Sequence, residues 1–180
     1  MARIPAVTSA NTPAASAPLL AAVKAKLGFT PNMMATMAQS PSVLRGYLGL
    51  SEALAGGALS ARERELVALA VGEANRCEYC VSAHAAIGKG AGLNEAEVMA
   101  ARQGRAQAGR EDAIVRLARA VASERGFVAD APVAAAREAG LSDAELLDVV
   151  AQVALNVLTN TVNHIAQTEV DFPAVEKLAA

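Results

Sequence analysis

Tryptophan is absent from this 180-residue chain, and Phe and Tyr supply only 3% of it. Sheets favour β-branched and aromatic residues, so this scarcity of aromatics excludes an all-β sandwich or barrel. Charge is also scarce. Asp, Glu, Lys and Arg total 19%, below the roughly 25% of ordinary domains, and nearly cancel to −2. No basic cluster stands apart from the acids and the pI is near 5.7, so nucleic acid is not expected as a partner. Purely apolar runs are missing. The uncharged stretch 4–23 carries Pro5, Pro13 and Pro18, and 149–168 carries Gln152, Asn156, Asn160, Asn163, His164 and Gln167. Either would strand polar groups in hydrocarbon, so no membrane partner is expected. The N-terminus lacks the compact apolar core of a signal peptide, which points to a cytoplasmic protein. Cysteine and histidine number two each.

Alanine is abundant, with 44 residues, and the apolar fraction reaches 53%. Alanine is the best helix former, and so apolar a chain with so little net charge does not stay disordered. Residues 1–17, rich in Pro, Ala, Ser and Thr, read as an extended N-terminal arm, and 18–180 as a single domain. Helix-start signals then recur. Thr30-Pro31 and Ser40-Pro41 place Pro at a first helical position. Ser60 with Glu63, Ser142 with Glu145 and Asn94 with Glu97 have capping-box spacing. Gly28, Gly56-Gly57, Gly104, Gly126 and Gly140 stand where helices should stop. The pattern predicts helices over 18–27, 31–39, 41–55, 60–73, 77–89, 94–103, 110–125, 131–139 and 142–167, with a marginal tenth over 172–178. The fold class is all-α.

A weak repeat runs from Leu59-Ser60 to His84 and again from Leu141-Ser142 to His164. It suggests an internal duplication of a helical hairpin, with cysteines in one copy only. The low charge and many small apolar residues leave too little polar surface for a monomer, so a homo-oligomer is expected, with 142–167 and the arm as candidate contacts.

Both cysteines fall in the stretch Glu73-Ala-Asn-Arg-Cys77-Glu-Tyr-Cys80-Val-Ser-Ala-His84. In a cytoplasmic protein, C-x-x-C reads as redox-active or metal-binding rather than as a structural disulfide. A helix break at Asn75 or Arg76 puts Cys77 at a helix start, where first-turn amides and the dipole favour a thiolate. Cys77 and Cys80 are i,i+3 neighbours within disulfide reach. His84 follows Cys80 at i,i+4, close enough to take or return a thiol proton. Such a dithiol can attack a peroxide, become a sulfenic acid and be resolved by its partner. Two other readings stand beside this one. The cysteines can pack as small hydrophobes, or they can bind zinc with His84 and a carboxylate, although no second C-x-x-C completes a usual structural site. Met33, Met34 and Met37 read most simply as core filler, though methionines near a cavity also suit adaptable apolar ligands. His164 reads as a hydrogen-bonded helix residue, and Asn156, Asn160 and Asn163 as an interhelix network that could also line a pocket.

Glu65 stands twelve positions before Cys77, and His84 four after Cys80. With Gly28-Phe-Thr-Pro31-Asn32, Pro41 and Leu59-Ser-Ala-Arg-Glu-Arg-Glu65-Leu-Val-Ala-Leu-Ala, this text resembles the alkyl hydroperoxidase D-like proteins of the carboxymuconolactone decarboxylase superfamily, in their peroxidase-related branch. The resemblance runs from about residue 28 to 170. It implies a helical fold, trimers or hexamers, and a proton relay. By that analogy Cys80 is the attacking thiol, Glu65 and His84 relay its proton, and Cys77 resolves. The helix dipole taken alone would favour Cys77 instead. From the residues alone Glu63 or Glu73 could equally serve, and Glu65 could be a boundary carboxylate. The best-known peroxidase members carry His just before the second cysteine, where this chain has Tyr79. A phenol is a poor base near neutral pH. The decarboxylase branch lacks the cysteine pair.

The expected function is a cysteine-based hydroperoxide reductase, with no metal or other cofactor, recycled by an external lipoyl- or thioredoxin-like dithiol. The alternatives are a thiol–disulfide exchange protein without peroxidase turnover, and a catalytically silent helical oligomer or ligand-binding module.

Overall fold

The computed structural model describes residues 2–107 and 109–178. Among them are nine helices and no strand: α1 (Ala17–Leu27), α2 (Asn32–Met37), α3 (Pro41–Ala55), α4 (Ala61–Ala74), α5 (Glu78–Gly90), α6 (Glu95–Arg102), α7 (Arg110–Ser123), α8 (Asp130–Glu138) and α9 (Asp143–Ala166). The helix α4 is the axis. Every residue from Leu66 to Gly72 is buried, as expected of a helix that is apolar all round and surrounded by neighbours. It packs on α5, α6, α7 and α9, while α8 leans on α7, and α2 and α3 lie against α9. None of the helices is long and apolar enough to cross a membrane.

The capping boxes at Ser60, Asn94 and Ser142 all form. Pro41 takes the first position of α3. Pro31 does not do the same for α2. Its ψ of 140° makes it the N-cap, with no side chain to offer the first amides. Remote groups satisfy them instead: Asn32 N–H donates to the Asp171 carboxylate (2.7 Å) and Met33 N–H to the Tyr79 hydroxyl (3.2 Å). The marginal helix over 172–178 does not form. Pro173 removes a donor, a segment this short cannot repay helix nucleation, and Arg102 binds the Glu176 carbonyl from outside (2.7 Å). Nor is the second repeat a hairpin. Both copies open with a Leu-Ser capping box, but α9 runs unbroken through Val157-Leu158-Thr159, which has nothing like the Asn75-Arg76 break.

The arm lies along the helices. Arg3 and Ile4 N–H donate to the Ala166 carbonyl at the end of α9, Val7 N–H to Ala35, and the buried Ser16 hydroxyl to Ala38.

On the opposite side, Arg110 at the start of α7 binds Glu63 and Glu145, both at 2.7 Å. These are the capping-box glutamates of α4 and α9, so one guanidinium clamps three helix N-termini. The Arg110 contact, with the Ser142 amide and hydroxyl, lowers the Glu145 pKa from 4.5 to about 2. Burial works against ionised Glu63, but Ser60 and Arg110 outweigh it and its pKa is also lowered. Because the folded state holds these carboxylates below their ordinary value, the unfolded chain takes up protons first as pH falls. The clamp's contribution is complete above about pH 4.5 and drains away toward pH 2. Arg110→Leu should therefore lower the thermal midpoint at pH 7 by about 2–4 °C. The gap from wild type should close as pH falls through that window, which thermal melts across pH 2–7 will measure.

Candidate functional site

The C-x-x-C is placed by the way α4 ends. Arg76 N–H donates to Glu73 O and Cys77 N–H to Gly72 O, the paired bonds of a Schellman stop. Arg76 occupies the left-handed position at φ 54°, where glycine is usual. The chain then restarts at once. Cys77 is the N-cap of α5, and its sulfur accepts from Cys80 N–H at 3.3 Å. Gly72 lets the two helices meet, since a Cβ there would lie 3.3 Å from Val81 Cγ2 and 3.6 Å from Cys80 Cβ.

Cys77 and Cys80 are disulfide-bonded, with Cα atoms 5.3 Å apart. Both are about 2% exposed. Glu65 on α4 faces His84 on α5, and His84 Nδ1 donates to its carboxylate at 2.8 Å. An ionised carboxylate only accepts, so the proton sits on Nδ1 and Nε2 is left as the basic nitrogen. The two other carboxylates that could have served are engaged elsewhere, Glu63 with Arg110 and Glu73 with Arg102 (2.7 Å). Among the described residues, no three His, Cys, Asp or Glu side chains converge to hold a metal ion.

Cys80, Glu65 and His84 line one cavity of about 460 Å³. Its other walls are mostly apolar and include Leu27, Met33, Met34, Ile87 and Leu155. Of the chain's five aromatic residues, Phe29, Tyr47, Tyr79 and Phe172 line this cavity, and Phe127 is exposed. Phe172 meets Phe29 and Tyr79 edge-on, with centroids 5.8 and 5.7 Å apart. Burial pushes the Tyr47 phenol up to about 12, helped by the charge of Glu65. Burial also raises Tyr79 well above its ordinary value, and Asp171 adds to the effect. Both therefore stay neutral, and Tyr79 acts as a tether for α2 rather than a base. Cys77 borders a different, more open cavity of about 690 Å³, beside Glu73, Arg76, Arg102 and Val175. The disulfide stands between the two spaces.

The α9 polar stripe reaches this turn from behind. His164 Nε2 donates to Asn75 O (2.7 Å) and Asn75 Nδ2 to Asn160 Oδ1 (2.8 Å). Asn163 Nδ2 lies 3.2 Å from Cys80 Sγ and 3.9 Å from Cys77 Sγ. His164 is thus a hydrogen-bonded helix residue. The role of Asn163 was not legible, because a carboxamide in a helical stripe carries no mark of which loop it will meet. The aromatic lining had a signal that went unread: in a chain with five aromatics, their clustering is the natural way to wall a cavity.

The Carboxymuconolactone decarboxylase family matches this chain over residues 41–124. An uncharacterized protein of Haemophilus influenzae (strain ATCC 51907 / DSM 11121 / KW20 / Rd) is 52% identical over 48 residues, 26% of this chain. The match spans 42% of that curated relative's length. Among solved structures, the alkylhydroperoxidase AhpD core of a peroxidase-related protein from Ralstonia eutropha JMP134 superposes with a TM-score of 0.84 at 28% identity, covering 94% of this chain and 92% of that one. A peroxidase-related protein from Silicibacter sp. TM1040 gives 0.80 at 20% identity over 93% and 89%. The debrominase Bmp8, in complex with 2,3,4-tribromopyrrole, gives 0.78 at 19% identity over 94% and 91%. The last two likenesses concern the fold. The motif, the helical architecture, the matched segment and the likeness to the Ralstonia eutropha structure together support the AhpD-like and carboxymuconolactone decarboxylase superfamily.

Proposed function

We propose that this protein is a cysteine-based hydroperoxide reductase. The observation that carries the reading is that Cys80 of the C-x-x-C and the hydrogen-bonded Glu65–His84 pair line one apolar cavity. In the reduced protein, His84 Nε2 takes the Cys80 proton while Glu65 holds the ring and balances its charge. The Cys80 thiolate attacks the peroxide O–O bond, giving a sulfenic acid at Cys80 and releasing the alcohol, which receives the relayed proton. Cys77 then attacks the sulfenic sulfur, forming the disulfide and expelling water. An external dithiol completes the cycle by exchange: one thiol opens the disulfide, and the second closes on the first to leave both cysteines reduced.

The apolar, aromatic-walled cavity suits an organic hydroperoxide better than hydrogen peroxide. The open space beside Cys77 offers the dithiol a separate approach, along the side of the disulfide facing away from Cys80. By the family pattern, Tyr79 leaves this chain without a second histidine next to Cys80, so turnover rests on His84 alone.

Assembly belongs to the same reading. α9 turns Leu147, Val150, Val157, Leu158 and Ile165 to solvent, with Leu147 69% exposed. An outward apolar row of this length is a seam for a second helix. The protein is a trimer or a pair of trimers, joined partly through α9.

Two experiments test these statements. Cys80→Ser should abolish consumption of an organic hydroperoxide in the presence of a dithiol, while Cys77→Ser should accumulate a sulfenic acid that a trapping reagent labels on Cys80. Label on Cys77 in the first variant and none on Cys80 in the second would reverse the roles. Disulfide exchange without multiple turnover of peroxide would leave a thiol–disulfide exchange protein. Light scattering should return three or six times the 18.3 kDa chain mass, and Leu147→Glu with Ile165→Glu should reduce it. A wild-type mass of one chain would refute the assembly.

A further inference from the structure

The two sulfurs compete for one negative charge, and the local backbone favours the wrong one. Cys77 is the N-cap of α5, and its sulfur already accepts the Cys80 amide at 3.3 Å. A helix N-terminus stabilises a thiolate there. Yet Cys77 does not border the cavity that holds Glu65 and His84, whereas Cys80 does. Something must draw the charge to Cys80.

We propose that Asn163 is a catalytic residue of this site: its carboxamide donates to Cys80 Sγ and so selects Cys80 over Cys77 as the sulfur that carries the thiolate. This rests on the redox reading of the C-x-x-C given above. The geometry is asymmetric in the required sense, with Nδ2 at 3.2 Å from Cys80 Sγ against 3.9 Å from Cys77 Sγ. Asn163 is 5% exposed, so water does not compete for the contact. Hydrogen bonds to an ionised acceptor are roughly twice as strong as neutral ones, so the donor favours the thiolate over the thiol.

The carboxamide suits the task because it is neutral and does not titrate. It stabilises the thiolate without an ion pair that would bury a second charge. Its Oδ1 has no partner among the described residues. The amide can therefore turn by half, presenting oxygen to a Cys80 S–H and N–H to the thiolate or to a sulfenate oxygen. The titratable and charged groups around Cys80 are Glu65 and Arg64 from α4, Tyr47 from α3, and His84, Tyr79 and Cys77 from the α5 segment, with the Arg64 guanidinium donating to the Leu59 carbonyl (2.6 Å). From α9, His164 is turned away onto Asn75 O.

The test separates this role from packing and from peroxidase activity itself. Cys77→Ser and Cys80→Ser each leave one thiol, whose titration is followed by ultraviolet thiolate absorbance and by alkylation rate against pH, with no peroxide present. Adding Asn163→Leu should raise the Cys80 titration midpoint by about 1 pH unit and slow its alkylation at neutral pH about tenfold. The Cys77 midpoint should stay put. Asn163→Asp should raise Cys80 further, because a carboxylate repels the thiolate. Asn163→Ser keeps a donor and should recover part of the loss. Far-UV circular dichroism identifies folded variants, and the Ser variant, the mildest change, carries the test if Leu and Asp fail to fold. An unchanged Cys80 midpoint in the folded variants, or equal movement of both cysteines, would overturn the proposal. Wild-type protein that reduces no hydroperoxide but shows the Asn163-dependent midpoint would sink the peroxidase reading and leave this one standing.

Discussion

A helix that stops and restarts within three residues has to satisfy the carbonyls of one end and the amides of the next in the same small space. The break between α4 and α5 does this with the Schellman bonds to Gly72 and Glu73, with Arg76 held at positive φ, and with a cysteine sulfur as N-cap of the new helix. A side chain in the left-handed region costs roughly 1–2 kcal/mol. The surroundings hold it there. α4 is buried on all sides, and the stripe on α9 binds the turn at the Asn75 carbonyl and side chain. Had α4 continued through residue 77, the cysteines would still be i,i+3 neighbours. Cys77 would then lose its capping role, and α5 would not turn back to bring His84 against Glu65.

The same break divides the space around the disulfide. Cys80 faces an apolar cavity with an acid–base pair, and Cys77 faces an open one edged with charge. Exchange proceeds by in-line attack on one sulfur with the other leaving, so the two sulfurs are approached from opposite directions. A thin partition with different chemistry on each side gives the two sulfurs of one dithiol separate surroundings.

Much of this was legible from spacing. Glu65 and His84 sit on helices that the sequence predicts, and the i,i+3 and i,i+4 relations are properties of any helix. Three capping boxes fixed helix starts because the partners are three residues apart and need no tertiary help. What escaped depends on contacts across the chain. Pro31 became an N-cap because Asp171 and Tyr79, far along the sequence, supply its missing acceptors. The segment 172–178 lost its helix to contacts with Arg102 and the core around Val98. Asn163 meets Cys80 across 83 positions of sequence, a distance over which no local pattern carries information.

The alanine-rich composition bears on function as well as fold. Small side chains let α4 be enclosed by four helices at close range, which builds a tight core with few large residues. Such a core has little natural tendency to leave a hole. A cavity of several hundred Å³ then has to be propped open by whatever bulk the chain possesses. Four of its five aromatics, with Met33 and Met34, stand around the Cys80 cavity. The aromatic residues stiffen that wall, since each has only two side-chain torsions and Phe172 locks Phe29 and Tyr79 edge-on. The methionines stay adaptable. Bulk concentrated at one point of an otherwise small-residue bundle marks where the molecule is built to hold something, and that point is the cavity lined by Cys80, Glu65 and His84.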